Sequence, residues 1–205
     1  LLVGLRYTRA KRRNHFISFI SLISMAGIAL GVAALIVVLS VMNGFQKELR
    51  TRILGVASHI QVTAINGELH NWLEVGRQTL QHPEVKAAAP FVQAQAMLSR
   101  DETVRGTLVR GIIPELEDKV ADFGRFMKAG KLENLQPGGF GIVLGSDLAN
   151  AMGVTLEDKV TLIAPQGTVT PAGVVPRLRS FTVVGIFEAG MYEYDSGLAL
   201  IDMSD

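Results

Sequence analysis

The sequence predicts an α+β protein with one long apolar helix near its start and a mixed helix-and-strand domain after it. Three observations carry that prediction. No charged residue occurs between positions 16 and 42. Beyond them, short apolar runs of period two mix with runs at helical spacing, without the strict alternation of a doubly wound parallel sheet. Cysteine is absent from all 205 residues, which removes any disulfide framework, thiolate metal site or cysteine nucleophile. The domain must hold itself by burial, and about 150 residues are enough for a core.

Charge divides the chain at the same place. Arg6, Arg9, Lys11, Arg12 and Arg13 crowd the start, and no Asp or Glu precedes Glu48. Six of the 20 basic residues precede Glu48, so fourteen face all 19 acids from there on, a formal charge of about −5. That distribution speaks against nucleic-acid binding. It fits membrane orientation, since Lys and Arg beside a spanning helix stay on the cytoplasmic side. Residues 1–15 are read as a cytoplasmic basic and amphipathic segment, with 1–7 either a short helix on the inner membrane surface or the start of the membrane helix.

Residues 16–42 are predicted to be the first transmembrane helix. At about 1.5 Å per residue they reach roughly 40 Å, more than the roughly 30 Å hydrocarbon core. Fifteen of these positions are Phe, Ile, Leu or Val, worth at most about −5 to −9 kcal/mol of insertion. A cleavable signal peptide would carry an apolar region about half as long, ending at a small-residue site. Gly27 and Gly31 form a G-x-x-x-G pair, extended by Ser24 and Ala34. Such a face lets another helix approach closely, although Gly is common in membrane helices generally. Residues 43–57 are expected to continue the helix outward on the non-cytoplasmic side, with Phe45, Leu49, Ile53 and Val56 as an apolar stripe and Gly55 as its stop.

Residues 58–205 are expected to be the outer domain, which the resemblance given below makes periplasmic, and the start at Leu1 and end at Asp205 lead to the expectation of a fragment. Ile60, Val62 and Ala64 alternate, predicting a strand over 59–65. A helix is predicted over 71–81, with Trp72, Val75 and Leu80 toward a core and Pro83 closing it. Strands follow over 85–90, 91–98 and 103–113, the last two separated by an Arg100-Asp101-Glu102 turn. After a polar, Gly-spaced section over 115–138 come a buried strand (142–144), a short helix (147–152) ending at Gly153, and strands over 159–164, 179–187 and 198–201.

Residues 165–176 hold three prolines and two glycines, a composition that disfavours regular pairing. If this segment projects, Val169, Val174 and Val175 are exposed on a stiff loop, which suits a docking element. The other reading is a long surface loop whose valines fold back.

Catalytic constellations fail. His15, His59, His70 and His82 lack metal-ligand spacing. Ser146 lies outside any G-x-S-x-G elbow and suits a helix cap or turn. Gly139 and Gly141 precede a strand-like run where a dinucleotide loop needs a helix, and Gly130-Lys131 lacks the upstream glycine of a Walker loop. The chain reads as a non-enzyme, with any nucleotide hydrolysis elsewhere.

Gly4-Leu5-Arg6-Tyr7, ISMAGIALGV over 23–32, LSVMNGF over 39–45, Glu48-Leu49, Ile53-Leu54 and Gly185 resemble the N-terminal half of the LolC/LolE/LolF permeases of the lipoprotein-releasing ABC transporter. More distantly the layout resembles MacB-type efflux proteins and FtsX. The first resemblance implies a four-helix inner-membrane protein with a MacB-like periplasmic core. It also implies a second permease subunit, either identical or LolE-like, and a LolD-like ATPase carrying the ATP and Mg, so that this chain needs no cofactor. Acylated lipoproteins would pass from the membrane to a LolA-like periplasmic carrier. The carrier-docking hook would comprise Pro165, Val169, Thr170, Pro171, Gly173, Val174, Val175 and Pro176. Beside it, Arg179 matches a family docking patch, Leu178 and Thr161 replace the family's glutamine and arginine, and Arg177 supplies a second charge. Lipoprotein contacts would fall on Val38, Val41 and Met42, with Leu35 in the same wall. Two alternatives are an FtsX-like signalling protein that activates a cell-wall hydrolase, and a MacB-type pump, whose ATPase domain would precede the helix where this chain has its basic start.

Overall fold

A computed structural model describes residues 15–56, 58, 60–65, 67–170 and 173–205, so the 1–7 surface helix, His59 and Pro171 lie outside the described residues. The chain divides into two compact units, Leu1–Leu49 and Arg50–Asp205. Helix α1, His15–Val56, is continuous over 42 residues, about 63 Å at the standard rise. Its unbroken course follows from the absence of proline and from the hand-over at Met42 between an all-round apolar surface and a charged one.

The chain from 58 to 90 corrects three expectations. Residues 60–64 have no regular structure, and Ile60, Val62 and Ile65 are exposed. Alternation makes a strand only where a neighbour takes up its backbone groups, and no described strand does so here. Residues 85–90 are likewise irregular. Pro90 has no N–H for a ladder and biases the residue before it. Helix α2, Trp72–Thr79, is shorter than predicted; Trp72 and Val75 are half-buried, whereas Leu80 is exposed.

The sheet begins with β1, Phe91–Arg100, and β2, Thr103–Ile112, a hairpin paired residue for residue from Phe91↔Ile112 to Arg100↔Thr103. Asp101, with φ 50°, makes the tight turn. A short helix α3, Pro114–Glu117, and a 3-10 turn lead to β3, Met127–Gly130, which the polar composition of this stretch concealed. Then come β4, Gly141–Gly145; α4, Ser146–Met152; β5, Lys159–Thr170; β6, Gly173–Phe187; α5, Tyr192–Gly197; and β7, Leu198–Asp202. The strand order is β3-β6-β4-β7-β2-β1-β5, and β5 pairs in turn with β6, so all but β3 close into a circuit.

Burial on both faces explains the continuous apolar runs in the middle of this sheet. Ile142 and Leu144 of β4 pack on one side with Leu98, Leu148, Phe181 and Val183, while Val143 packs on the other with Ile112, Phe123, Phe187 and Leu200. Gly145 ends β4 where the Asp195 carbonyl of α5 comes too close for any Cβ. The helix cap therefore falls on Gly145, and Ser146 is the first helical residue, a correction to its predicted capping role. Asp195 is buried and accepts hydrogen bonds from the Ala189 and Gly190 N–H groups at 2.7 and 2.9 Å.

Asp158 ties the β1–β2 turn to the chain entering β5. Its carboxylate accepts from the Thr155 N–H at 2.7 Å, the Thr155 hydroxyl at 3.0 Å and the Arg100 guanidinium at 3.1 and 3.2 Å. Arg100 also donates to the Gly153 carbonyl. The Thr155 backbone hydrogen bond, reinforced by its hydroxyl and by Arg100, holds the Asp158 pKa below the ordinary aspartate value. A depressed carboxylate contributes stability that is present above about pH 4 and lost as pH falls through the folded value. Asp158→Asn is therefore expected to lower the melting temperature at neutral pH and to flatten its fall on acidification. Parallel melting curves for the two proteins between neutral and acid pH check this.

Candidate functional site: a projecting hairpin and an exposed helix face

β5 and β6 form a hairpin longer than the sheet that supports it. At its base, Thr161, Leu162 and Ile163 of β5 pair with Ser99, Leu98 and Met97 of β1. Beyond Ile163 the two strands pair with each other alone, out to Thr170↔Gly173. This corrects the expectation of an irregular segment over 165–176. The ladder shifts between Ala164 and Thr168, opposite Pro176, and then resumes with Thr168↔Val175 and Val169↔Val174. Proline lacks a donor and is tolerated at such an irregularity, which is where Pro165 and Pro176 fall. β-Branched residues carry the pairing beyond it. Of the predicted hook, Pro165, Val169, Thr170, Gly173, Val174, Val175 and Pro176 thus lie on a two-stranded ribbon, and Pro176 is exposed. The side chains over 165–170 and 173–175 lie outside the described ones.

The predicted patch sits just below the ribbon. Arg177 pairs with Ala164 and Arg179 with Leu162, which sets both arginines on one face of β6; Leu178 turns to the opposite face and is 64% exposed. Thr161, opposite Ser180, shares the face of Leu178. The Arg179 guanidinium lies 4.5 Å above the centroid of the Phe140 ring. Phe140, which the sequence reading left out, carries a φ of 47° in the turn before β4. Neither periodicity nor a motif marked it, because its role depends on a strand 40 residues away.

On α1, every described side chain from 19 to 50 is exposed, including Leu35 (63%), Val38 (60%), Val41 (67%) and Met42 (51%). At about 100° per residue these four fall within roughly a third of the helix circumference. Gly27 and Gly31 lie along the same arc, and a Cβ on either would meet nothing within 4 Å. The face is therefore smooth and narrow below, broad and apolar above. Among the described residues there is no cluster of His, Cys, Asp or Glu able to hold a metal ion.

Among the described residues, one apolar helix, long enough to cross a membrane, leads into a mixed α+β domain with a projecting ribbon, which defines a helix-led class of domain. Residues 21–204 match the MacB-like periplasmic core domain, and the chain belongs to that family. It is similar to the lipoprotein-releasing system transmembrane protein LolC of Neisseria meningitidis serogroup B, 53% identical over 203 residues that cover 99% of this chain and 49% of that one. LolC of Xylella fastidiosa is 45% identical over 99% of this chain and 49% of its own. LolE of Haemophilus influenzae is 36% identical over 80% of this chain and 40% of its own. The chain thus spans about half the length of the curated relatives it matches, or less.

Proposed function

We propose that this chain is the leading part of an inner-membrane permease subunit that extracts acylated lipoproteins and hands them to a LolA-like periplasmic carrier. The observation that carries the reading is the 53% identity to a protein named for lipoprotein release, sustained over 99% of the chain. In this reading α1 crosses the membrane, its basic start faces the cytoplasm, and the domain from 58 onward stands in the periplasm. The exposed arc of Leu35, Val38, Val41 and Met42 forms part of a wall for acyl chains. Apolar side chains with an adaptable Met at the outer end suit chains of variable shape. Removing lipid anchors from a bilayer costs about 0.8 kcal/mol per methylene, so several chains need both an energy source and a receiving apolar pocket. A LolD-like ATPase would supply the first and the carrier the second. A second permease subunit, against which Gly27 and Gly31 pack, would complete the cavity.

The ribbon is the capture element in this scheme. Removing residues 166–175 while keeping the pairing of 159–164 with 177–182 is expected to abolish retention of the purified carrier by the detergent-solubilised transporter. Lipoproteins should then stay in the membrane fraction when ATP is added. Unchanged carrier retention by a variant with native circular dichroism would overturn the assignment.

A further inference from the structure

The Phe140 ring is the surface on which Arg179 rests, and the fold takes trouble to fix that ring. We infer that Phe140 is the positioning residue that presents the Arg179 guanidinium to a carboxylate on the docking partner; the inference rests on the carrier-docking reading above. Phe140 is held from several sides. Its ring meets Phe181 edge-on, with centroids 5.8 Å apart at 80°, and Phe181 is buried in the sheet. Its N–H donates to the Asp205 carboxylate at 3.0 Å, and the neighbouring Gly138 N–H donates to the same carboxylate at 2.7 Å. Its carbonyl accepts from the Thr182 N–H at 2.9 Å. These bonds keep a non-glycine residue in a left-handed conformation it otherwise avoids.

The arrangement matters because of what a guanidinium is. Arginine on an exposed strand samples many rotamers, and a partner must order it on binding. A ring beneath one face of the guanidinium removes part of that freedom beforehand. Stacking occupies the face and leaves the edge, with its forked N–H donors, free for a bidentate carboxylate. Arg177 stands two residues along the same face of β6, and no ring lies beneath it among the described residues. The two arginines therefore differ in role: Arg179 is an ordered contact, and Arg177 adds charge that raises the encounter rate.

The test uses the full-length permease complex in detergent and the purified, unloaded LolA-like carrier. Phe140→Leu is expected to weaken carrier binding about 2- to 5-fold, the span of an exposed cation–π contact. Phe140→Trp should keep wild-type affinity, and Phe140→Leu should have no further effect once Arg179→Ala is present. A readout without carrier accompanies these: phenylglyoxal modification of Arg179, followed by peptide mass spectrometry, should run several-fold faster in Phe140→Leu and unchanged in Phe140→Trp. Wild-type labelling and affinity in Phe140→Leu refute the positioning role and leave the docking reading standing, as do additive losses with Arg179→Ala. Failure of the wild-type complex to bind the carrier removes the docking reading itself, and this inference with it.

Discussion

Glu117→Ala is expected to destabilise the domain by about 3–5 kcal/mol, the cost of leaving a buried charge without its partner. Arg110 on β2 and Glu117 on α3 approach to 2.9 Å, at 7% and 0% residue exposure. The Phe91 ring covers the guanidinium at 4.4 Å. Neither carboxylate oxygen nor the Arg110 Nε completes a hydrogen bond, so the ion pair is what compensates both groups. Burial pushes the Glu117 pKa up, and the attraction of Arg110 pulls it only part of the way back. A raised carboxylate gives stability that is present below the ordinary glutamate value and lost as pH rises through the folded one. Wild-type protein should therefore lose melting temperature over that rise, and Glu117→Gln should remove this slope. For a chain of this size the Ala variant should melt about 6–20 °C lower. Arg110→Met with Glu117→Leu should recover most of the loss, since apolar replacements of a buried pair are often neutral or better. An unchanged melting temperature in Glu117→Ala would show that the pair contributes nothing.

On the proposed function, Met42→Asp is expected to abolish ATP-dependent lipoprotein release while leaving the protein in the membrane. The insertion term of up to about −5 to −9 kcal/mol exceeds the cost of one carboxylate, about 2.5–3.5 kcal/mol at a helix centre and less toward its end. In that reading, what the substitution removes is the proposed apolar wall. A carboxylate beside an acyl chain either keeps its water or is buried uncompensated, and both disfavour the bound lipid. Met42→Leu, which conserves volume and polarity, should release normally. Proteoliposomes with ATP and carrier, scored for lipoprotein in the soluble fraction, measure both variants. Normal release by the Asp variant would place the acyl chains elsewhere.

Much of the fold was legible because its strongest signals are local. The apolar helix, the β1–β2 hairpin with its charged turn, and the Gly153 helix stop, with φ 63°, all follow from composition and spacing within a dozen residues. What escaped was whatever depends on a distant partner. Residues 60–65 alternate like a strand but have no described neighbour, whereas the alternation of β3 covers only four residues and forms a strand because β6 offers it an edge. In the candidate site, the exposed arc of α1 and the arginines were readable as chemistry, and the resemblance assigned them roles. The pairing of the proline-rich ribbon was not readable, because the β-branched positions beyond the irregularity outweigh two prolines that sit at it. Phe140 and the Arg110–Glu117 pair were invisible for the same reason as β3: each is defined by residues brought together from separate elements.

Closing the sheet into a circuit sets the pace at which the domain forms. Leu98 meets Leu162, and Leu108 meets Leu198, so the pairings that complete the circuit join positions some sixty and ninety residues apart. Entropy for such long loops is spent before the contacts return it, which places folding on the slow side for a domain of this size. Until β7, the last strand, docks between β4 and β2, those two strands each offer an unsatisfied backbone edge to any neighbouring chain. On the proposed topology, the chain therefore spends its most vulnerable interval immediately after emerging from the membrane, and variants that delay closure are expected to be lost to aggregation or proteolysis before any effect on the proposed function is expressed.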